Sequence, residues 1–158
     1  MLPRPLRSLV SRFTRTRLFL HVGPRAVPLL ERATARLTGG RVVTSGLIVP
    51  SLVLRTTGAR TGEPRAASMI YCPEPGGAML VAGSNFARGA HPAWTANLLA
   101  HPDAVVELGR RRVPVHATEV GAAEREAVWA RLEANWPGYR GYERIARRRI
   151  RLFRLVPR

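Results

Sequence analysis

The chain reads as an α+β domain: a small antiparallel barrel of about six strands with flanking helices. Three observations point there. Its 158 residues match one ordinary domain, and 46% are hydrophobic, enough for a core without disulfide or metal support. β-forming stretches follow one another across short Gly-containing turns, the spacing of antiparallel neighbours. Neither a Gly-x-Gly-x-x-Gly fingerprint nor a strand–helix–strand repeat occurs, which disfavours a dinucleotide-binding, doubly wound sheet.

The elements can be justified in order. Residues 1–40 form a basic, amphipathic helical segment and residues 41–158 the barrel. In Pro5–Leu20, Leu6, Leu9, Val10, Phe13 and Leu20 share one helical face. Arg4, Arg7, Arg12 and Arg15 lie off that face, and Arg17 intrudes on it. Such a helix suits an anionic membrane surface, and equally suits packing on its own domain. Arginines interrupt its apolar residues throughout, unlike a secretory signal, and no run nears the ~20 apolar residues of a membrane span. The chain is therefore expected in the cytoplasm, with the inner face of the membrane as its possible surface. A second helical pattern, Leu29–Leu37, stops at Gly39-Gly40. Strands follow at Ser51–Thr57, Arg65–Cys72 and Met79–Gly83. A helix opens at Pro92, a favoured first-turn residue, and stops before Pro102. Ala104–Leu108 and Arg112–Val120 pair around Gly109-Arg110. Ala122–Asn135 is helical, Pro137–Tyr142 a loop, and Ile150–Val156 a last strand.

Composition excludes several chemistries. The formal net charge is +16, and all 26 cationic residues are Arg. Without Lys there is no phosphate-binding P-loop lysine and no Schiff base. One Cys (Cys72) and one Asp (Asp103) supply neither a disulfide nor a thiolate metal site. His21, His91, His101 and His116 show no metal-ligand spacing, so no metal is expected. The positive charge attracts anions, but the chain lacks a nucleic-acid recognition module or basic residues interleaved with aromatics; no nucleic-acid partner is expected. An enzyme this poor in acid–base groups draws its reactivity from a cofactor.

Four segments can carry chemistry. In Thr56-Thr57-Gly58-Ala59-Arg60-Thr61-Gly62-Glu63-Pro64-Arg65, two glycines permit a turn whose amides form an anion nest. Arg60 and Arg65 add bidentate donors for phosphate or carboxylate; the alternative is an ordinary hairpin with solvated arginines. Ala82-Gly83-Ser84-Asn85 is a strand end where small residues admit a flat ring, or simply a tight turn. In His91–Leu98, Trp94 and Asn97 share a helix face, with Trp94 equally suited to anchoring the core. Trp136, Tyr139 and Tyr142 could wall an apolar substrate pocket or fold back onto the core.

Together, in this order and spacing, these segments resemble the deazaflavin-dependent nitroreductase family of actinobacteria. The likeness runs from about Val53 to Tyr142, and includes His101-Pro102-Asp103. It implies a split β-barrel that binds reduced 8-hydroxy-5-deazaflavin, coenzyme F-420, whose phosphate and oligoglutamate tail are anionic. By that likeness Thr57, Gly58, Arg60, Thr61, Gly62, Pro64 and Arg65 grip the phosphate and tail. Ala82, Gly83, Ser84 and Asn85 lie along the ring, and Trp94 and Asn97 complete the coenzyme pocket. Ile70, Trp136, Tyr139 and Tyr142 fall on the substrate side, with Ser84, Tyr139 and Tyr142 as catalytic candidates. Asn85 stands where nitroreductase members carry a basic residue, Ala67-Ser68 replaces Asn-Pro, and Ile70 replaces a Tyr. Coenzyme binding is thus the firmer implication, with a quinone, an enone or a nitroaromatic as hydride acceptor. The alternative is a non-catalytic split barrel that holds a fatty acyl chain. The oligomeric state is not legible.

Overall fold

In the computed structural model the described residues are Pro50–Arg158 and, before them, Thr16, Val22, Ala26, Leu29 and Ala33. Those five positions apart, the expectations for residues 1–49 lie outside the described residues. These are the helices at Pro5–Leu20 and Leu29–Leu37, the boundary at residue 40, and the membrane-facing role of residues 5–20.

β1 (Ser51–Thr57) and β2 (Pro64–Ile70) form the expected first hairpin, followed by β3 (Cys72–Pro73) and β4 (Met79–Ala82). After α1 (Ala93–Ala100) come β5 (Asp103–Leu108) and β6 (Arg111–Glu119), then α2 (Arg125–Asn135), α3 (Gly141–Ala146) and β7 (Leu152–Pro157). Alternation explains the strands. On β1, Leu52, Leu54 and Thr56 are buried while Arg55 is exposed, and on β6 Val113, Val115 and Ala117 are buried between exposed neighbours. Gly109, at φ +60°, makes the two-residue turn between β5 and β6.

All pairings are antiparallel, in the order β2-β1-β5-β6-β7-β4-β3. β2 and β3 stand at opposite ends of that order, yet only Tyr71 separates them in the chain. The two ends must therefore lie side by side, so the sheet curls into a split barrel. This explains two departures from expectation. The sheet has seven strands rather than about six, and the strand expected over Arg65–Cys72 is broken at Tyr71. There the chain leaves β1 as a partner and takes up β4.

The barrel interior holds Leu52, Leu54, Val81, Val106, Val115 and Phe153, closed by Trp94 and Leu98 of α1. A second buried layer lies outside β4 and β7, where α2, α3 and the turn between them bring Trp129, Leu132, Tyr139 and Tyr142 against Leu80 and Leu152. Every residue of β4 is buried, because it serves both layers. The stretch expected as a loop at Pro137–Tyr142 instead runs into α3, which begins at Gly141.

Antiparallel order has a consequence for the site. The C-terminal ends of β1, β4 and β6 and the N-terminal ends of β5 and β7 all lie at one end of the barrel. α1 runs from β4 to β5 across that end, so the segments singled out in the sequence gather around it.

Candidate functional site

The β1–β2 turn is built by its glycines. Gly58 N–H donates to Glu63 O and Gly62 N–H to Gly58 O, both at 2.9 Å. Gly62 sits at φ +68°, a conformation that favours glycine. A Cβ on Gly58 would lie 2.9 Å from Thr61 Oγ1 and 3.1 Å from Glu63 O, so the turn closes too tightly for a side chain there. Asn97 of α1 clamps it: Oδ1 accepts from Ala59 N–H and Nδ2 donates to Thr56 Oγ1, each at 2.9 Å. Asn97 and Thr56 are both 6% exposed, and a buried amide with both ends satisfied holds its partners firmly. Arg60 and Arg65 are exposed. Neither has an acidic partner among the described residues, although most acids in this arginine-rich chain are taken by other arginines.

The β4–α1 loop is the second part. Gly83 N–H donates to Arg151 O at 2.8 Å, and a Cβ on Gly83 would lie 2.8 Å from Thr95 Cγ2. Glycine is what lets α1 approach the strand end. Asn85, Phe86 and Ala87 follow at φ +49°, +53° and +58°. Three consecutive non-glycine residues in the left-handed region are costly and need outside support. Part of it is local: Asn85 Nδ2 donates to Ala90 O at 2.9 Å. Further support comes from Arg148. Its guanidinium donates to Gly83 O at 2.9 Å, Ser84 O at 3.1 Å and Arg88 O at 3.0 Å, and lies 3.0 Å from His91 Nδ1. Burial, and Arg151 nearby, lower the Arg148 pKa from its ordinary value. Desolvation, then Arg148 and Arg151, hold the His91 imidazole below its usual range.

The aromatic residues meet Ser84 from below. Ser84 Oγ lies 3.4 Å from Tyr139 OH, which also donates to Ala82 O at 3.4 Å; both contacts are long. Tyr139 stacks edge-on with Tyr142 at 5.7 Å and with Trp129 at 6.0 Å. Its phenol is pushed up to about 12 by burial, so it stays protonated at neutral pH. Trp136, Tyr139 and Tyr142 are 7%, 5% and 6% exposed. They form a packed layer beneath Ser84 rather than an open wall, and partly buried Ile70 packs against it.

The structure thus brings the sequence candidates together in two groups. Thr57, Gly58, Arg60, Thr61, Gly62, Pro64 and Arg65 occupy the hairpin, with Asn97 engaged on it. Ala82, Gly83, Ser84 and Asn85 meet Ile70, Trp136, Tyr139 and Tyr142. Trp94 stands apart, 9% exposed and edge-on to Phe153 at 5.7 Å, where it closes the barrel interior. Sequence reasoning missed Arg148: within Arg147-Arg148-Arg149 it reads as one member of a charge run, and nothing local marks it. No group of three or more potential metal ligands occurs among the described residues, and no described helix is long and apolar enough to cross a membrane.

Comparison with known proteins places this geometry. The family model described as F420H(2)-dependent quinone reductase matches residues 30–157. An F420H(2)-dependent quinone reductase of Mycobacterium tuberculosis is 38% identical over 104 residues, covering 63% of this chain and 66% of that protein, just under two thirds of its length. A second M. tuberculosis protein, a putative F420H(2)-dependent quinone reductase, is 30% identical over 83 residues, covering 52% of this chain and 69% of its own. Among solved structures, an F420-H2 dependent reductase superposes with a TM-score of 0.60 at 29% identity, over 67% of this chain and 93% of the other. A domain-swapped dimer superposes at 0.62 with 26% identity, over 81% and 97%. The split barrel is therefore that of a known lineage, and the chain belongs to the F420H(2)-dependent quinone reductase family.

Proposed function

We propose that this chain is a reductase that passes a hydride from reduced coenzyme F-420 to a quinone. One observation carries the reading beyond family membership: Arg60 and Arg65, exposed and without acidic partners, stand on a glycine hairpin that Asn97 ties to α1. The residues present suit that coenzyme. Two guanidinium groups and the Thr57 and Thr61 hydroxyls match an anionic tail.

When bound, the coenzyme supplies the hydride. The chain positions and shields. The hairpin anchors the anionic end and fixes the register of whatever lies along α1. Arg148 holds the Gly83–His91 loop, and so places Ser84. Tyr139 is protonated, and by turning its single O–H from Ala82 O to Ser84 Oγ it leaves the Ser84 proton free. The Ser84 hydroxyl is then the polar group able to steady negative charge developing on an acceptor oxygen. Ile70 and the aromatic layer favour an apolar, planar acceptor, which is why a quinone is preferred over an enone or a nitroaromatic.

The test is anaerobic oxidation of reduced coenzyme by the purified chain, offered menadione, an enone and a nitroaromatic in parallel. Turnover with menadione above the other two is expected. Oxidation with none of them, in protein shown by titration to bind the coenzyme, would refute the reading.

A further inference from the structure

A second cationic recess opens at the same end of the barrel, across α1 from the hairpin. It is a cleft of about 390 Å³ between the β6 end, the start of α2 and the segment entering β7. Val120 and Ile150 floor it, 7% and 0% exposed. The coenzyme reading uses none of its polar groups.

Those groups are donors with one exception. Arg125 is the informative one. It is only 9% exposed, lines the cleft, and stacks its guanidinium 5.8 Å from the Trp129 ring. Its Nη2 is committed to the Glu143 carboxylate and Ile150 O. Nε and Nη1 have no hydrogen-bond partner among the described residues. The remaining donors of this guanidinium open onto the cleft rather than being sealed from water, since the Trp129 indole nitrogen is the one fully buried side-chain N or O without a partner among the described residues, and they are therefore available to a ligand there. Arg149 and Arg151 line the rim without acidic partners among the described residues. His91 takes the Arg148 donor at Nδ1. With its pKa lowered it is neutral, and Nε2–H remains as a further donor.

The exception is Glu119, an acceptor facing these donors. A fully deprotonated oxyanion such as sulfate would meet Glu119 as a like charge. An oxyanion that keeps one proton can accept from the arginines and donate that proton's hydrogen bond to Glu119. We propose that the cleft is a binding site for a protonated phosphate group, as hydrogenphosphate or the monoanion of a phosphate monoester, selected against sulfate by Glu119.

Binding of inorganic phosphate, glycerol phosphate and sulfate to the intact chain, followed by calorimetry with phosphorus NMR for the first two, tests it. Saturable phosphate binding is expected, roughly tenfold or more tighter than sulfate. R149Q and R151Q should each weaken phosphate, while R110Q, a charge-matched change in the turn at the opposite end of the barrel, should not. E119Q should bring sulfate and phosphate to similar affinity, which a merely structural role of Glu119 would not do. Tighter binding of glycerol phosphate would assign the site to an ester; tighter binding of inorganic phosphate would assign it to the free ion. Equal affinity for sulfate in the unmodified chain would overturn the proposal. So would an R110Q effect as large as those at Arg149 and Arg151, or displacement of phosphate by one equivalent of coenzyme, since the cleft would then hold the coenzyme's own anionic end.

Discussion

Arg60 and Arg65 matter because of what they lack. Among the described residues, Arg55 and Arg112 share Glu107, Arg131 and Arg154 share Glu74, and Arg140 holds Glu126. The two hairpin arginines have no such partner and remain free for an anionic ligand. Substituting either by Ala should weaken coenzyme binding roughly tenfold or more, the scale of a charge-assisted hydrogen bond, as read by fluorescence titration. Unchanged affinity in both variants would show that the tail binds elsewhere. Tyr139 makes a second expectation. Its folded pKa, about 12, lies above the ~10 of an unfolded tyrosine. The unfolded chain therefore releases its proton first, and stability present below about pH 10 falls as pH rises to about 12, by roughly 2–3 kcal/mol. Y139F should remove that share of the alkaline loss, measured by urea unfolding at pH 9 and pH 11.

At the scale of elements, α1 is the organiser. Its middle carries Asn97, which pins the hairpin, and its first turn packs on Gly83 so closely that a Cβ has no room. The loop between β4 and α1 has an unfavourable left-handed run at Asn85–Ala87, and Arg148 supplies the backbone contacts that compensate. R148A should release this loop and leave the barrel folded. The measurable signs are faster amide exchange confined to residues 84–91 and weaker coenzyme binding, with the thermal midpoint lowered by only a few degrees. R148K should not restore the unmodified behaviour, because one ammonium cannot span the positions that the planar fork reaches. Exchange unchanged in R148A would mean the loop keeps its shape without this contact.

Across the whole molecule, the sheet order explains why one short chain can hold a site at all. Curling joins β2 to β3, leaves β4 buried on both faces, and collects five strand ends, α1 and two loops at one end. The +16 charge adds a long-range attraction for anionic ligands that salt should screen. The same charge bears on Pro5–Leu20. If that segment lies on anionic lipid, replacing Arg4, Arg7, Arg12 and Arg15 by Gln should abolish sedimentation with phosphatidylglycerol vesicles while turnover with a water-soluble quinone persists. Sedimentation that survives the four substitutions would show that these arginines do not carry the attachment.

What could be read before any coordinates was local. β-forming residues along Ser51–Thr57 and a Gly-Arg turn before Arg112–Val120 marked strands, glycines marked the hairpin, and the order of short motifs marked the family, because each depends on residues adjacent in the chain. The sequence left open whether Trp94 and the Trp136–Tyr142 aromatics face a pocket or the core, and the break at Tyr71 and the helix begun at Gly141 were not legible. Neither was the joining of Arg148 to a loop some sixty residues before it. These follow from closure of the barrel, which assigns partners and removes water by position in space, and a distant residue's donors find their acceptors only once the chain has curled.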